Sequence, residues 1–242
     1  MRRKLLWFFT AGVFMAAMVF GMVKKQTYKN LVAQENYLEQ LYVAELSEDL
    51  TERACAAMSR SLPDAAIILR VEAVGEIEHL YRGDRQKVVI KEVYAGSELE
   101  KGKEMYIVSD HWHLSLKPTN ESDGYDRWVD SIQRGFVNIM EVGTEYLVFG
   151  EAVTEDRRTG EPAVKLYDDF FIAPVFSYEG HPNVIVPISE DDVGIYGTAV
   201  PYKDVKDNEF FATSEKGMQM MEDLKSRMLA LYPGEIKPSY SR

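Results

Sequence analysis

The chain has 242 residues, 46% of them apolar and 12% aromatic, enough for a sizeable core and too apolar for a disordered chain. Its single cysteine, Cys55, excludes an intramolecular disulfide and any multi-cysteine zinc or iron–sulfur centre. The net charge of −11 is uneven: residues 1–30 hold six basic side chains and no acidic ones, while residues 31–242 hold 22 basic and 39 acidic, a net of −17. Such a surface repels phosphate backbones, so no nucleic-acid partner is expected.

Met1-Arg2-Arg3-Lys4 is followed by Leu5 to Val23, 19 residues without a charge, Pro, Asn or Gln. As a helix this run is about 28 Å long, close to the hydrocarbon thickness of a bilayer. It is longer than the ~7–15 apolar residues of a cleaved signal and runs into Lys24 and Lys25 without a small-x-small site. Residues 1–25 are therefore expected to be an uncleaved signal anchor that crosses the membrane once. Arg2, Arg3 and Lys4 slightly outweigh Lys24, Lys25 and Lys29, which puts the N-terminus in the cytoplasm and the main domain outside. The lack of disulfides is compatible with a bacterial extracytoplasmic domain.

Residues 26–61 read as a helical stalk. Leu31, Leu38, Leu41, Tyr42 and Leu46 recur at helical spacing, as do Leu50, Ala54, Ala57 and Met58. Ser47 before Glu48 and Asp49 looks like an N-cap with an acidic first turn, splitting the stretch into helices over about 26–46 and 48–60. Cys55 lies among small residues and reads as packed apolar rather than as a nucleophile. Leu62-Pro63-Asp64 ends the helical part.

The period then changes to two. Ala65–Leu80 reads as one long strand bent at Gly75, Arg82–Arg85 as a turn, Gln86–Tyr94 as a second strand and Glu104–Ser109 as a third. Residues 110–135 are irregular, punctuated by Pro118, Asn120, Ser122 and Gly124. Thr144–Gly150 is a buried-strand run, and a hairpin turn with Arg157, Arg158 and Gly160 leads to Ala163–Tyr167. Phe170–Phe176 continues as strand, and residues 177–208 are mostly loop with an extended piece at Val184–Val186. A last helix over 213–231 places Met218, Met221, Leu224, Met228 and Leu231 on one apolar face, ends at Pro233-Gly234, and leaves 232–242 as a tail. The methionine stripe reads as packing on the barrel, or alternatively as a docking groove.

Four stretches carry a family likeness: D-A-A-I-I-L-R-V-E-A-V-G from Asp64, V-V-I-K-E-V-Y-A-G from Val88, L-E-K-G-K-E-M-Y-I-V from Leu99 and V-G-T-E-Y-L-V-F-G from Val142. Spanning Asp64 to Val153, their layout resembles the TIMP/netrin-like module, a small OB-fold barrel. The resemblance implies a mainly β fold: an OB-like (TIMP-like) barrel over 62–212 with an N-terminal transmembrane and stalk helix and a C-terminal amphipathic helix. Animal inhibitors of this type grip a protease zinc with an N-terminal cysteine and carry several disulfides. This chain has neither, so the resemblance implies the fold and not protease inhibition.

The stretch most suited to chemistry is Ser109-Asp110-His111-Trp112-His113-Leu114-Ser115. On a strand His111 and His113 share a face and can ligate one zinc or copper ion, with a third ligand from His79, His181, Asp123 or Asp126. The alternative is a strand end with Trp112 packed on the barrel, and with Asp110, Trp112 and Trp128 as partner contacts. No H-E-x-x-H, G-x-S-x-G, P-loop, G-x-G-x-x-G or EF-hand pattern occurs. Asp168-Asp169 and Glu190-Asp191-Asp192 read as solvated acidic surface. The expectation is a non-catalytic extracytoplasmic binding module, held at the membrane, with a protein partner and no cofactor. One alternative is a metal-binding sensor or enzyme using His111 and His113. Another is an accessory or scaffold subunit of a membrane complex, with Thr10, Gly12, Ala16 and Ala17 offering a helix contact.

Overall fold

The computed structural model describes residues 7, 12–15, 17–22, 37–40, 42–44, 48–80, 83–109, 139–156, 159–167, 172–186 and 199–234. The chain divides into two units, Met1–Tyr37 and Leu38–Arg242. In the first, residues 12–15 and 17–22 are helical, and Phe14, Met15, Val19 and Phe20 are exposed. Among the described residues no helix is long and apolar enough to cross a membrane, and the expected span over 5–23 lies partly outside them.

The second unit is mainly β. Its long strands are β2 (Ile67–Ala73), β4 (Gly83–Ala95), β5 (Glu104–Ser109), β6 (Glu145–Glu155) and β7 (Pro162–Leu166). They close into a five-strand barrel in the order β2-β4-β5-β7-β6, with β6 returning to β2 through pairs such as Ile68 with Phe149. Every neighbouring pair is antiparallel except β5 with β7, where Ile107 stands opposite Val164 in a parallel register. This order is consistent with an OB-like barrel. Shorter strands complete the unit: β1 (Tyr42–Ala44) pairs β10 (Ala199–Pro201), β3 (Glu78–Leu80) pairs the start of β4, β8 (Val175–Ser177) extends the sheet from β6, and β9 (Val184–Ile185) runs parallel to β11 (Phe211–Ala212).

Closure depends on a bulge in β6. Its first half pairs β2, and the register shifts between Gly150 and Ala152, where the strand turns to pair β7. A Cβ at Gly150 would lie 2.4 Å from Val164 Cγ1, so only glycine lets the strands approach this closely. This bend carries β6 past Gly150, where the apolar run stops, to Glu155. The single strand expected over 65–80 is two, because Val74 and Gly75 both donate their amides to Lys87 O and break the ladder after Ala73.

Two helices cover the barrel: α1 (Glu48–Ser61) and α2 (Glu215–Leu231). The second of the two expected stalk helices is present as α1, but it is not a stalk. Thr51, Ala54, Cys55 and Met58 are buried, and the helix belongs to the barrel unit. Within the first, expected over 26–46, the described residues form a 3-10 turn (Tyr37–Gln40) and then β1, whose distant pairing with β10 overrides the local helical spacing. Helix α2 buries Met218, Met221, Leu224 and Met228, whereas Leu231, expected on the same stripe, is exposed in the last turn. Ser214 caps α2 by accepting the Gly217 amide at 3.1 Å and donates its own hydroxyl to Glu48 at 2.7 Å, joining the two helix starts. Lys216 bridges Glu48 and Glu52 at 3.1 Å each, and the Ser214 bond together with Lys216 holds the Glu48 carboxyl below the usual range. One apolar cluster runs from Met58 and Leu62 through Leu147, Phe149 and Phe176 to Met221 and Met228. Side chains of this size contribute about 1.5–3 kcal/mol each on full burial.

Candidate functional site

The site is one end of the barrel, where β4 begins and β5 ends. Strand alternation splits four consecutive residues of β4 between two faces: Asp84 and Gln86 on one, Arg85 and Lys87 on the other. Gln86 Nε2 donates to Gly75 O at 3.0 Å and to Met140 O at 2.7 Å, tying the β2–β3 connection to the segment that leads into β6. Asp84, Gln86, Ile107, Ser109, Met140 and Val175 help to line a small cleft here, polar on the β4 side and apolar opposite. Ser109 and Ile139, the residues that bracket 110–138, both line it.

Arg85 lies alongside at 1% exposure. Its Nη1 donates to Asp156 Oδ1 at 2.5 Å and its Nη2 to Glu78 Oε2 at 2.9 Å, and the guanidinium stacks 4.4 Å from the Tyr106 ring centroid. Burial opposes the charge, but the two carboxylates outweigh it and push the Arg85 pKa up, so the cation persists at any ordinary pH. Asp156 Oδ1 also accepts the Thr159 amide at 2.8 Å and the Thr159 hydroxyl at 3.0 Å, which shapes the β6–β7 turn. A single side chain thus fixes the positions of the β2–β4 connection through Glu78 and of the β6–β7 connection through Asp156. On the more exposed side Lys87 pairs with Glu104 at 2.8 Å. Val74 and Val142, one and two residues from the Gly75 and Met140 carbonyls that Gln86 ties together, are exposed.

The predicted site residues Asp110, His111, Trp112, His113 and Trp128 lie outside the described residues, as do Asp123 and Asp126. So do Asp168, Asp169, Glu190, Asp191 and Asp192. His79 sits on β3 opposite Asp84 in the ladder. His181 is placed far along the chain beside Ser177, Nε2 to Oγ 3.1 Å. That pair closes a turn, for the Ser177 hydroxyl accepts the Glu179 amide at 3.0 Å and Ser177 is fully buried, leaving no approach for a substrate. Among the described residues no group of three or more His, Cys, Asp or Glu is placed to hold a metal ion. Cys55 packs 3.7 Å from Met221 Sδ, and burial pushes its thiol up to about 12, in keeping with the packed reading.

Sequence reading missed Arg85, Glu78, Asp156 and Tyr106. A usable signal existed at one of them: Asp156 three residues before Thr159 and four before Gly160 is a spacing of turn-forming residues. The Arg85–Asp156 pairing spans 71 residues and leaves no local trace. No protein-family model matches the chain, and no curated protein matches it.

Proposed function

We propose that this chain is a non-catalytic extracytoplasmic module, tethered to a membrane by its N-terminal apolar segment, that binds a protein partner at the barrel mouth. The observation that carries the reading is the Arg85 network, which holds two inter-strand connections rigidly around a cleft of mixed polarity. In OB barrels the face of the second and third strands and the connections flanking it take the ligand, and β4, β5, Glu78 and Asp156 occupy those positions. The exposed Val74 and Val142 suit a protein contact, and the −17 charge of residues 31–242 suits a basic partner surface. Exposed Phe14, Met15, Val19 and Phe20 support the anchor. The finer assignment to a TIMP/netrin-like module belongs to this proposal and rests on the four motif stretches together with the strand order.

The test is a membrane-impermeant lysine cross-linker applied to intact cells, followed by capture of the tagged full chain. The expected result is one defined partner, cross-linked from outside, whose yield falls at least about tenfold in a Val74→Asp/Val142→Asp variant that melts as the parent does. Labelling only after lysis overturns the topology. Capture unchanged by the double substitution overturns the mouth as the contact.

A further inference from the structure

Beyond the mouth, the barrel holds its own C-terminal segment in a way that reads three successive residues. Helix α2 is finished when the Tyr232 amide bonds Met228 O at 3.1 Å, yet the next residues stay in contact with the sheet. The Tyr232 ring sits between Tyr94 (centroids 5.2 Å apart, tilted 49°) and Phe149 (5.9 Å, edge-on at 72°), and its hydroxyl donates to Pro63 O at 3.2 Å. The Tyr178 hydroxyl donates to Tyr232 O at 2.8 Å, and the Tyr94 hydroxyl donates to Pro233 O at 2.6 Å. Gly234 lies close to the Tyr178 ring, where a Cβ would fall 2.9 Å from Cδ1 and 3.2 Å from Cε1. The Tyr178 hydroxyl is held by Tyr232 O, so the ring cannot swing aside cheaply. Burial first, and the Tyr94 hydroxyl second, push the Tyr178 phenol up, which keeps it a donor.

A helix end needs only a carbonyl cap and a residue that cannot continue the helix. Here an aromatic slot, two hydroxyl donors aimed at consecutive main-chain carbonyls and a wall that admits no side chain act on Tyr232, Pro233 and Gly234 in turn. Docking in an aromatic-lined groove is a recurring way in which proline-rich peptides are bound. We propose that the slot formed by Tyr94, Phe149 and Tyr178 is a recognition site for an aromatic–Pro–Gly peptide, filled in this chain by its own residues 232–234. An external segment of the same chemistry binds only when the internal one is released, so the C-terminal segment acts as a built-in competitor with the advantage of attachment. This proposal is independent of the reading of the mouth.

The full-length Gly234→Val variant, or full-length Tyr232→Ser if the first does not fold, opens the slot without touching its walls. The probe is acetyl-Leu-Tyr-Pro-Gly-Glu-amide, and the control is the same peptide with valine in place of its glycine. The expected result is saturable binding of the probe to the opened variant by calorimetry or NMR, at least about tenfold tighter than the control. Adding Tyr94→Phe and Tyr178→Phe to the opened variant should weaken it at least about tenfold, and the unaltered chain should bind at least about tenfold more weakly. A folded, opened variant that ignores the probe at 5 mM (about the effective concentration of an attached segment), or that takes probe and control alike, overturns the proposal and leaves a structural helix end.

Discussion

The mouth of the barrel and its helix-covered flank are closed by opposite means. At the mouth the joining element is a buried cation held by two carboxylates and a ring: Arg85 with Asp156, Glu78 and Tyr106. On the flank it is an apolar cluster, with Met58, Leu62, Phe149, Phe176, Met221 and Met228 packed between helices and sheet. Apolar closure stabilises in proportion to area and tolerates other shapes of similar volume. Ionic closure gives up most of its gain to desolvation, but it fixes geometry, since each Arg85 nitrogen accepts one arrangement of its partner. The end of the molecule that positions connections is built from the interaction that specifies, and the flank is built from the one that stabilises.

Substitutions at the mouth can break this contrast most sharply. Arg85→Ala leaves the Asp156 carboxylate, 3% exposed, without its cation and should cost about 3–5 kcal/mol in denaturant unfolding. Arg85→Met combined with Asp156→Leu should cost clearly less than Arg85→Ala. If the double variant costs as much or more, the pair stabilises on its own account and the contrast fails. On the flank, Met221→Ala should cost about 2–4 kcal/mol through the cavity it leaves, with Met221→Leu within about 1.5 kcal/mol.

Alkaline titration sharpens the comparison further. Burial pushes the Cys55 thiol on the flank up to about 12 from 9.0, and the Tyr146 phenol, chiefly through burial, up to about 12 from 10.0. The folded chain keeps protons that the unfolded chain releases, so these groups leave stability intact below about pH 9. As pH rises from there toward 12 it falls, by at most about 1.4 kcal/mol per pH unit for each group. Cys55→Ala should flatten the first part of that decline in melting experiments, while Arg85, charged throughout, adds no slope. The smallest effect is expected at the joined helix starts, where Ser214→Ala should cost about 1 kcal/mol by thermal melting.

Much of the barrel was legible because each of its strands alternates or forms a short apolar run of its own. Gln86–Tyr94, Glu104–Ser109 and Ala163–Tyr167 were readable within one or a few residues of β4's C-terminal part, β5 and β7. What local pattern cannot carry is distance. Tyr42 fits a helix stripe by spacing, yet it pairs Pro201. The Arg85 network joins residues 78, 85, 106 and 156, of which only Glu78 and Arg85, opposite each other in the β3–β4 hairpin, are near in sequence. The Tyr-Pro-Gly end looked like a stop signal because the tyrosines that read it, Tyr94 and Tyr178, lie far back in the sequence. The segment that invited chemical attention, from Asp110 to Trp128, lies outside the described residues, so the site that could be built came from charged positions the strand pattern had passed over.

The bond between Ser214 and Glu48 spans 166 residues, and the parallel pairing of β5 with β7 skips the whole of β6. At roughly 5–20 residues per second of synthesis, α1 emerges some 8–33 s before the helix that will cover it. For the first part of that interval β2 has only β4, until β6 is made, and for all of it α1 lacks the helix that supplies Met221 and Met228 to the shared core. The order of manufacture therefore lets the barrel close once β7 has been made but leaves α1 and the face of the core beneath it uncovered until α2 follows, and that face must be kept from sticking to its neighbours until then.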